Sequence, residues 1–160
     1  MRIKMKASNI LIAALKGFEG LRLEAYKDAR GVWTIGYGHT YGVKGGQKIT
    51  SKQAETLLRG DLLPCEKAVT GLGVWTQGQF DALVDFAFNL GIDALMKSTL
   101  LRKIRLNDDQ DEIMEEFLKW NKVHTKVLNP TLKKWVIQGE ELNGLTVRRE
   151  WEAQRFFENG

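Results

Sequence analysis

The 160-residue sequence predicts an α+β fold, with a small N-terminal β-lobe and a larger helical lobe joined by one long helix. Three observations predict it. Residues 31–37, GVWTIGY, gather β-branched and aromatic side chains between turn-forming glycines. Thr50 and Gln53 then form a capping-box pair ahead of Ala54, Leu57, Leu58, Leu62 and Leu63, a helical stripe that Ala68, Val69 and Leu72 prolong. From Gln79 onward apolar runs at helical spacing dominate, separated by glycines and capping residues.

The elements follow in order. Ser8 caps a first helix through NILIAALKGF, with Ile10, Leu11, Ala14, Leu15 and Phe18 on its apolar face. Short strands are predicted at about 22–27, 31–37 and 41–48, the first two joined by a turn at Asp28-Ala29-Arg30-Gly31. Pro64 kinks the long helix without ending it, because the stripe continues beyond it. Thr76 and Gln79 form a second capping box, and the run to Leu90 is apolar nearly all round, which marks a buried helix with Gly91 beyond its end. A short helical turn at 92–96 precedes Ser98, which caps TLLRKIRL. Asn107 or Asp108 caps a helix through EEFLKW, and Thr146 caps the last one. Residues 121–143 stand apart and read as a hairpin or loop with a turn at Asn129-Pro130.

Composition bounds the function. Hydrophobic residues make up 43% and charged residues 28%, as in an ordinary globular domain, so residues 1–160 read as one domain. The net charge of +4 suits a polyanionic partner but does not choose one. No nucleic-acid motif or basic run interleaved with aromatics accompanies it. The single cysteine, Cys65, excludes an internal disulfide and reads as a buried, inert thiol. His39 and His124 have no metal-ligand spacing, and no metal or cofactor is expected. The apolar run Ile10–Leu15 is too short to span a bilayer and lacks the context of a signal peptide.

Chemistry concentrates in FEGLRLEAYKDARGVWTIGYGHT, residues 18–40. Glu19 falls at a helix end, while Asp28 and Thr34 belong to a tightly turned sheet. Such a join can set two acids on opposite walls of a cleft, the minimal apparatus for cutting a glycosidic bond. The apolar neighbours Phe18 and Leu21 would raise the Glu19 pKa, whereas Asp28, in a polar turn, would stay ionised.

The motif Glu19-Gly20-Leu21-Arg22-Leu23, then Tyr26-x-Asp28, then Gly31-x-x-Thr34-Ile35-Gly36-x-Gly38-His39 resembles the phage-type lysozymes, the endolysin muramidases of glycoside hydrolase family 24. The resemblance extends through Gln79-Phe80-Asp81-Ala82-Leu83, Phe86-x-Phe88-Asn89-x-Gly91, Ser98-Thr99-Leu100-Leu101 and Gly144-Leu145 with Arg148-Arg149-x-x-Glu152. Only 121–143 departs from it.

The resemblance implies a lysozyme-like fold, with the β-lobe at about 21–49, the helical lobe at 1–20 and 50–160, and the active cleft between them. It implies hydrolysis of the β-1,4 bond between N-acetylmuramic acid and N-acetylglucosamine, by an inverting scheme. Glu19 is then the general acid, with Asp28 and Thr34 completing a triad that activates and holds water. Phe88, Asn89 and Thr99 take cleft-facing positions. His39 pairs with Asp61 to brace the lobes, and Arg148 or Arg149 reaches the Glu19 region. The partners implied are peptidoglycan and, indirectly, a holin pore, which releases a monomeric enzyme from the host cytoplasm to the wall at lysis. Neither stable membrane insertion nor nucleic-acid binding is expected. A lytic transglycosylase would need the glutamate but not a water-holding Asp28 and Thr34, and a non-catalytic wall binder would carry a damaged triad.

Overall fold

The computed structural model describes residues 4–129, 134–141 and 143–158, with backbone alone for 123–129 and 134–141. Helix α1 (Asn9–Glu19) leads into a two-stranded antiparallel sheet, β1 (Arg22–Lys27) and β2 (Trp33–Gly36). Helix α2 (Ser51–Leu72) leaves the sheet for a helical lobe of α3 (Gln77–Leu90), α4 (Ile92–Lys97), α5 (Thr99–Arg105), α6 (Gln110–Leu118) and α7 (Asn143–Phe156). A hairpin of β3 (Lys122–Asn129) and β4 (Lys134–Glu141) separates α6 from α7. None of the described helices is long and apolar enough to cross a membrane.

Side chains that close backbone groups set the helix starts. Ser8 accepts from Leu11 N on α1, and both Thr50 and Thr76 make the reciprocal capping box with the glutamine three residues on. Ser98 caps α5, accepting from Leu101 N. On α6 the cap is Asp109, which accepts from Glu112 N, not Asn107 or Asp108. Asn107 instead takes φ 55°, a left-handed turn between helices that asparagine tolerates better than most residues. Helix α7 begins at Asn143, ahead of the expected cap Thr146, whose hydroxyl accepts from Asn121 Nδ2.

Helix α2 runs through Pro64 without a break. Proline cannot bond to the carbonyl four residues back, which belongs to Gly60. Both residues lie on the exposed side, where water can serve that carbonyl. The expected third strand at 41–48 is not formed. Lys48 makes only an isolated bridge to Glu24, flanked by bonds from Ala25 N to Gln47 O and from Ile49 N to Leu23 O. The glycine-rich turns at 42–46 take up the chain that a strand would need. The excursion at 121–143 is the hairpin β3–β4, paired from Lys122↔Glu141 to Asn129↔Lys134. Its proposed turn at Asn129-Pro130 lies partly outside the described residues, as does the side chain of His124.

The core sits where α3 meets α1, α2, α6 and α7. Phe80, Leu83, Val84, Phe86, Leu58, Leu62, Leu100 and Phe117 are fully or almost fully enclosed. Two stripe residues differ from expectation. Ile10 and Leu63 are each 52% exposed, while Ile12 turns inward. Each apolar run is wider than the core-facing side of its helix, so one member is left outside, and periodicity alone does not say which. Cys65 is buried, and burial pushes its thiol up to about 11, away from reactivity.

Candidate active site

Glu19 is the last residue of α1, and Gly20 follows at φ 71°, a conformation that favours glycine. The chain therefore turns sharply out of the helix into β1 directly after the acid. The turn after β2 comes back against it. A side chain at Gly38, which has φ 83°, would bring its Cβ to 3.5 Å from Glu19 Oε2. Glu19 thus stands at the join between sheet and helices, with 24% of its side chain exposed.

Its other oxygen is held from α7. Arg148 Nη1 donates to Glu19 Oε1 at 2.8 Å, and Arg148 Nε and Nη2 donate to Asp85 Oδ2 and Oδ1 at 3.0 and 2.8 Å. The bidentate bond to Asp85 fixes the guanidinium plane. Asp85 is fully buried on α3, and the ring of Phe18 lies 5.0 Å from the guanidinium carbon. Burial lowers the Arg148 pKa, but Asp85 and then Glu19 outweigh it and raise it overall, so the residue stays a cation. The surroundings of Glu19 thus differ from expectation. Leu21 is 39% exposed, and the carboxylate faces a guanidinium and a glycine turn instead of a purely apolar edge.

Asp28 and Thr34 share one acceptor. Asp28 N donates to Val32 O at 2.9 Å, and Thr34 Oγ1 donates to the same oxygen at 3.0 Å. The Asp28 carboxylate accepts from Val32 N at 2.9 Å, from Arg30 N at 2.8 Å and from Arg30 Nη2 at 3.2 Å. Those donors, the Val32 backbone N–H first, hold its pKa below the ordinary carboxylate value, so Asp28 is ionised near neutrality. Thr34, opposite Tyr26 in the sheet, is 3% exposed, and Asp28 keeps 22% of its side chain open.

His39 Nδ1 lies 2.9 Å from both oxygens of Asp61 on α2, and His39 Nε2 lies 2.9 Å from Tyr41 O. This ties the turn after β2 to the long helix. Phe88 is half-buried against the core, and Thr99 is exposed at the start of α5. Asn89, half-buried at the end of α3, is joined to α7 because its Oδ1 accepts from Arg149 Nη2 at 2.8 Å. Neither arginine of the pair lies on a solvated face, since Arg148 and Arg149 are 5% and 0% exposed. Among the described residues no cluster of three or more His, Cys, Asp or Glu could hold a metal.

Sequence reasoning overlooked the acids that seat α7. Asp85 anchors Arg148. Asp81, four residues earlier on α3, accepts from Arg155 Nε and Nη2 at 3.1 and 2.8 Å and also receives the Ser8 N–H and hydroxyl. The signal was legible: two aspartates four apart in an otherwise apolar helix must each have a cationic partner.

Residues 16–152 match the phage lysozyme family model. The chain belongs to the phage lysozyme family. It is 42% identical over 113 residues to the endolysin of Acyrthosiphon pisum secondary endosymbiont phage 1, covering 69% of this chain and 77% of that one. Against the endolysin of Bacillus phage B103 it is 44% identical over 139 residues, 81% of this chain but only 51% of that relative. Among solved structures, the endolysin from Escherichia coli O157:H7 phage FAHEc1 superposes with a TM-score of 0.81 at 37% identity, over 98% of this lysozyme and 96% of that chain. The architecture of this phage lysozyme is therefore the lysozyme-like α+β fold expected from the sequence.

Proposed function

We propose that this phage lysozyme is an endolysin that hydrolyses the β-1,4 bond between N-acetylmuramic acid and N-acetylglucosamine in bacterial peptidoglycan, with Glu19, Asp28 and Thr34 as its catalytic residues. One observation carries the assignment of roles. Glu19 stands at the join of the two lobes with Oε1 fixed by Arg148 and Oε2 left toward the glycine turn. A glycosidase acid must present one oxygen to the leaving group in a defined orientation, and this geometry supplies it.

Glu19 Oε2 donates its proton to the glycosidic oxygen as the bond breaks. Asp28, kept ionised by its backbone donors, stabilises the positive charge that develops on the sugar and takes a proton from the incoming water. The Thr34 hydroxyl donates to Val32 O, which leaves its lone pairs free to accept from that water and hold it in line. Attack from the face opposite the leaving group inverts the anomeric centre. Phe88, Asn89 and Thr99 bind the glycan. The basic net charge of +4 favours contact with an anionic envelope, and that contact weakens as salt rises. The enzyme accumulates as a monomer in the host cytoplasm, and a holin pore releases it to the wall at lysis.

The test is lysis of outer-membrane-stripped Gram-negative cells by the wild type and by Glu19→Gln, with mass spectrometry of the released muropeptides. Hydrated, reducing muramic ends from the wild type alone would support the assignment. Ends with a 1,6-anhydro ring would move the protein to the transglycosylases, and release by both proteins would remove Glu19 from its role.

A further inference from the structure

Part of the basic excess surrounds apolar surface, far from the candidate acid. Residues 4–8 lie along α2 ahead of α1, strapped down by three bonds. Ala7 N donates to Glu66 Oε2 at 2.6 Å, Gln77 Nε2 donates to Lys6 O at 2.9 Å, and Ser8 N donates to Asp81 Oδ1 at 3.1 Å. Met5 and Ala7 pack against the core, whereas Lys4 and Lys6 stay exposed. Between this strap and α2 lies a cavity of about 440 Å³, a size that can hold a ligand. Met5 and Leu63 give it apolar lining, and Lys4, Lys6 and Lys67 give it cations. A smaller cavity of about 130 Å³ shares Lys6 and Leu63 and continues the groove to Ile12, Leu62 and Arg59.

The charges here are uncompensated. Elsewhere Lys16 pairs with Glu55, and Lys103 and Lys119 pair with Glu116. No described acid pairs with Lys4, Lys6 or Lys67. Glu66 is the one carboxylate lining either cavity, and its Oε2 already accepts from Ala7. Leu63, 52% exposed, is the stripe residue that α2 leaves outside the core, and in this groove it is apolar surface ringed by lysines.

Each half of this arrangement narrows the ligand. A soluble polyanion would gain nothing from the leucine, and neither cavity has an aromatic side chain on which a base could stack. An uncharged apolar partner would leave three ammonium groups without a counter-ion. Lysine stems lie along apolar surface while their heads reach the polar edge, which matches a molecule carrying anionic charge and hydrocarbon together. We propose that the groove between residues 4–7 and α2 docks the anionic headgroup region of a phospholipid and holds the protein at an acidic bilayer surface without inserting a helix. Glu19 closes the other end of α1, an 11-residue helix about 16 Å long, so the groove lies apart from the acid. The docking stands whether or not the chain cuts glycan.

The test is co-sedimentation of the full chain with vesicles of phosphatidylglycerol and phosphatidylcholine, against vesicles of phosphatidylcholine alone, at low salt. Binding to the acidic vesicles alone is expected. A lysine near an acidic surface strengthens binding about fivefold, so Lys4→Gln/Lys67→Gln should weaken it about twenty-five-fold. Lys52→Gln/Lys97→Gln removes the same charge outside the groove and should weaken it by about fivefold or less. Leu63→Gln leaves the charge unchanged and should weaken binding about threefold to tenfold. All five side chains are exposed, so each variant should melt with the wild type. Equal losses in the two lysine pairs would reduce the attraction to net charge and overturn the site. Unchanged binding in Leu63→Gln overturns it as well, because the ligand would then need no hydrocarbon. So does displacement by soluble glycerol phosphate beyond that by sodium chloride of equal ionic strength, which would make the groove a phosphate site. Failure of the wild type to bind acidic vesicles ends the proposal.

Discussion

Replacing Arg148 by methionine separates what this residue does for the fold from what it does for the acid. The side chain is 5% exposed and bridges fully buried Asp85 to Glu19. Methionine fills much of the space but leaves Asp85 as an enclosed carboxylate without its cation. Breaking a buried pair from one side costs about 3–5 kcal/mol, out of a total stability of about 5–15 kcal/mol for a domain. Arg148→Met should therefore lower the urea midpoint by roughly a third of its value. The double variant Arg148→Met/Asp85→Leu removes both charges and should recover most of that loss. It should not recover activity. Glu19 Oε1 would lack its tether, and a loosely placed catalytic group costs on the order of a hundredfold in rate. Urea melts and turbidity clearance on the same preparations read both quantities. A loss below about 1 kcal/mol in the single variant would refute the buried-pair argument. Wild-type clearance by the double variant would refute the orienting role.

Three other outcomes follow from local geometry. Gly38→Ala forces a side chain into φ 83° and sets its Cβ 3.5 Å from Glu19 Oε2, so stability should fall by about 1 kcal/mol while activity falls further. Equal proportional losses would separate the turn from the acid. Arg30→Ala removes an exposed side chain but leaves the backbone donors of residues 30 and 32, so the Asp28 carboxyl should still titrate below its ordinary value of 3.8 by carbon NMR. Its contribution to stability should accordingly be present above that value and be lost only as pH falls through the lower folded one. Glu152→Gln tests a proton. Burial, with the Asp85 charge adding to it, holds Glu152 well above the carboxylate range, so the neutral substitution should cost less than about 1 kcal/mol at neutral pH. A loss of about 3–5 kcal/mol in a chemical melt would mean that Glu152 is ionised.

The fold was legible wherever one local signal sufficed. Ser8, Thr50, Thr76 and Ser98 accept the backbone bonds expected of them, and the apolar run ending at Leu90 is the buried helix. What failed were choices between neighbours. Asp109 caps α6 in place of residues one or two earlier, and Ile12 turns inward where Ile10 does not. Each failure involves near neighbours of similar propensity, decided by the direction in which the helix packs. The third strand failed for another reason. Among the described residues the stretch 41–48 bridges β1 only at Lys48, and Gly42 and Gly46, at φ 69° and 84°, turn the chain where a strand would run straight.

The site divides in the same way, between what one stretch of sequence holds and what two helices make together. Glu19, Asp28 and Thr34 fall within sixteen consecutive residues, so their spacing was visible as a motif. The seat beneath Glu19 was not. It joins Asp85 to Arg148, sixty-three positions away; a second contact between the same two helices, Asn89 with Arg149, spans sixty positions. The apolar periodicity of α7 could not reveal it, because most of what α7 buries is charged: Arg148, Arg149, Glu152 and Arg155, with only Ala153 and Phe156 beside them. A helix that buries charge reads as a solvated one until the acids on the helix opposite are counted. Here they are countable: Asp81 and Asp85 are one turn apart, and Arg148 and Arg155 are two turns apart, with each aspartate held by one of those arginines. Enclosed ion pairs are poor sources of stability compared with apolar packing, but they tolerate little displacement of either partner. Such precision serves no purpose in a core that only has to be stable, and it would serve one beneath the proposed acid, Glu19, which has to meet a glycosidic oxygen at one angle.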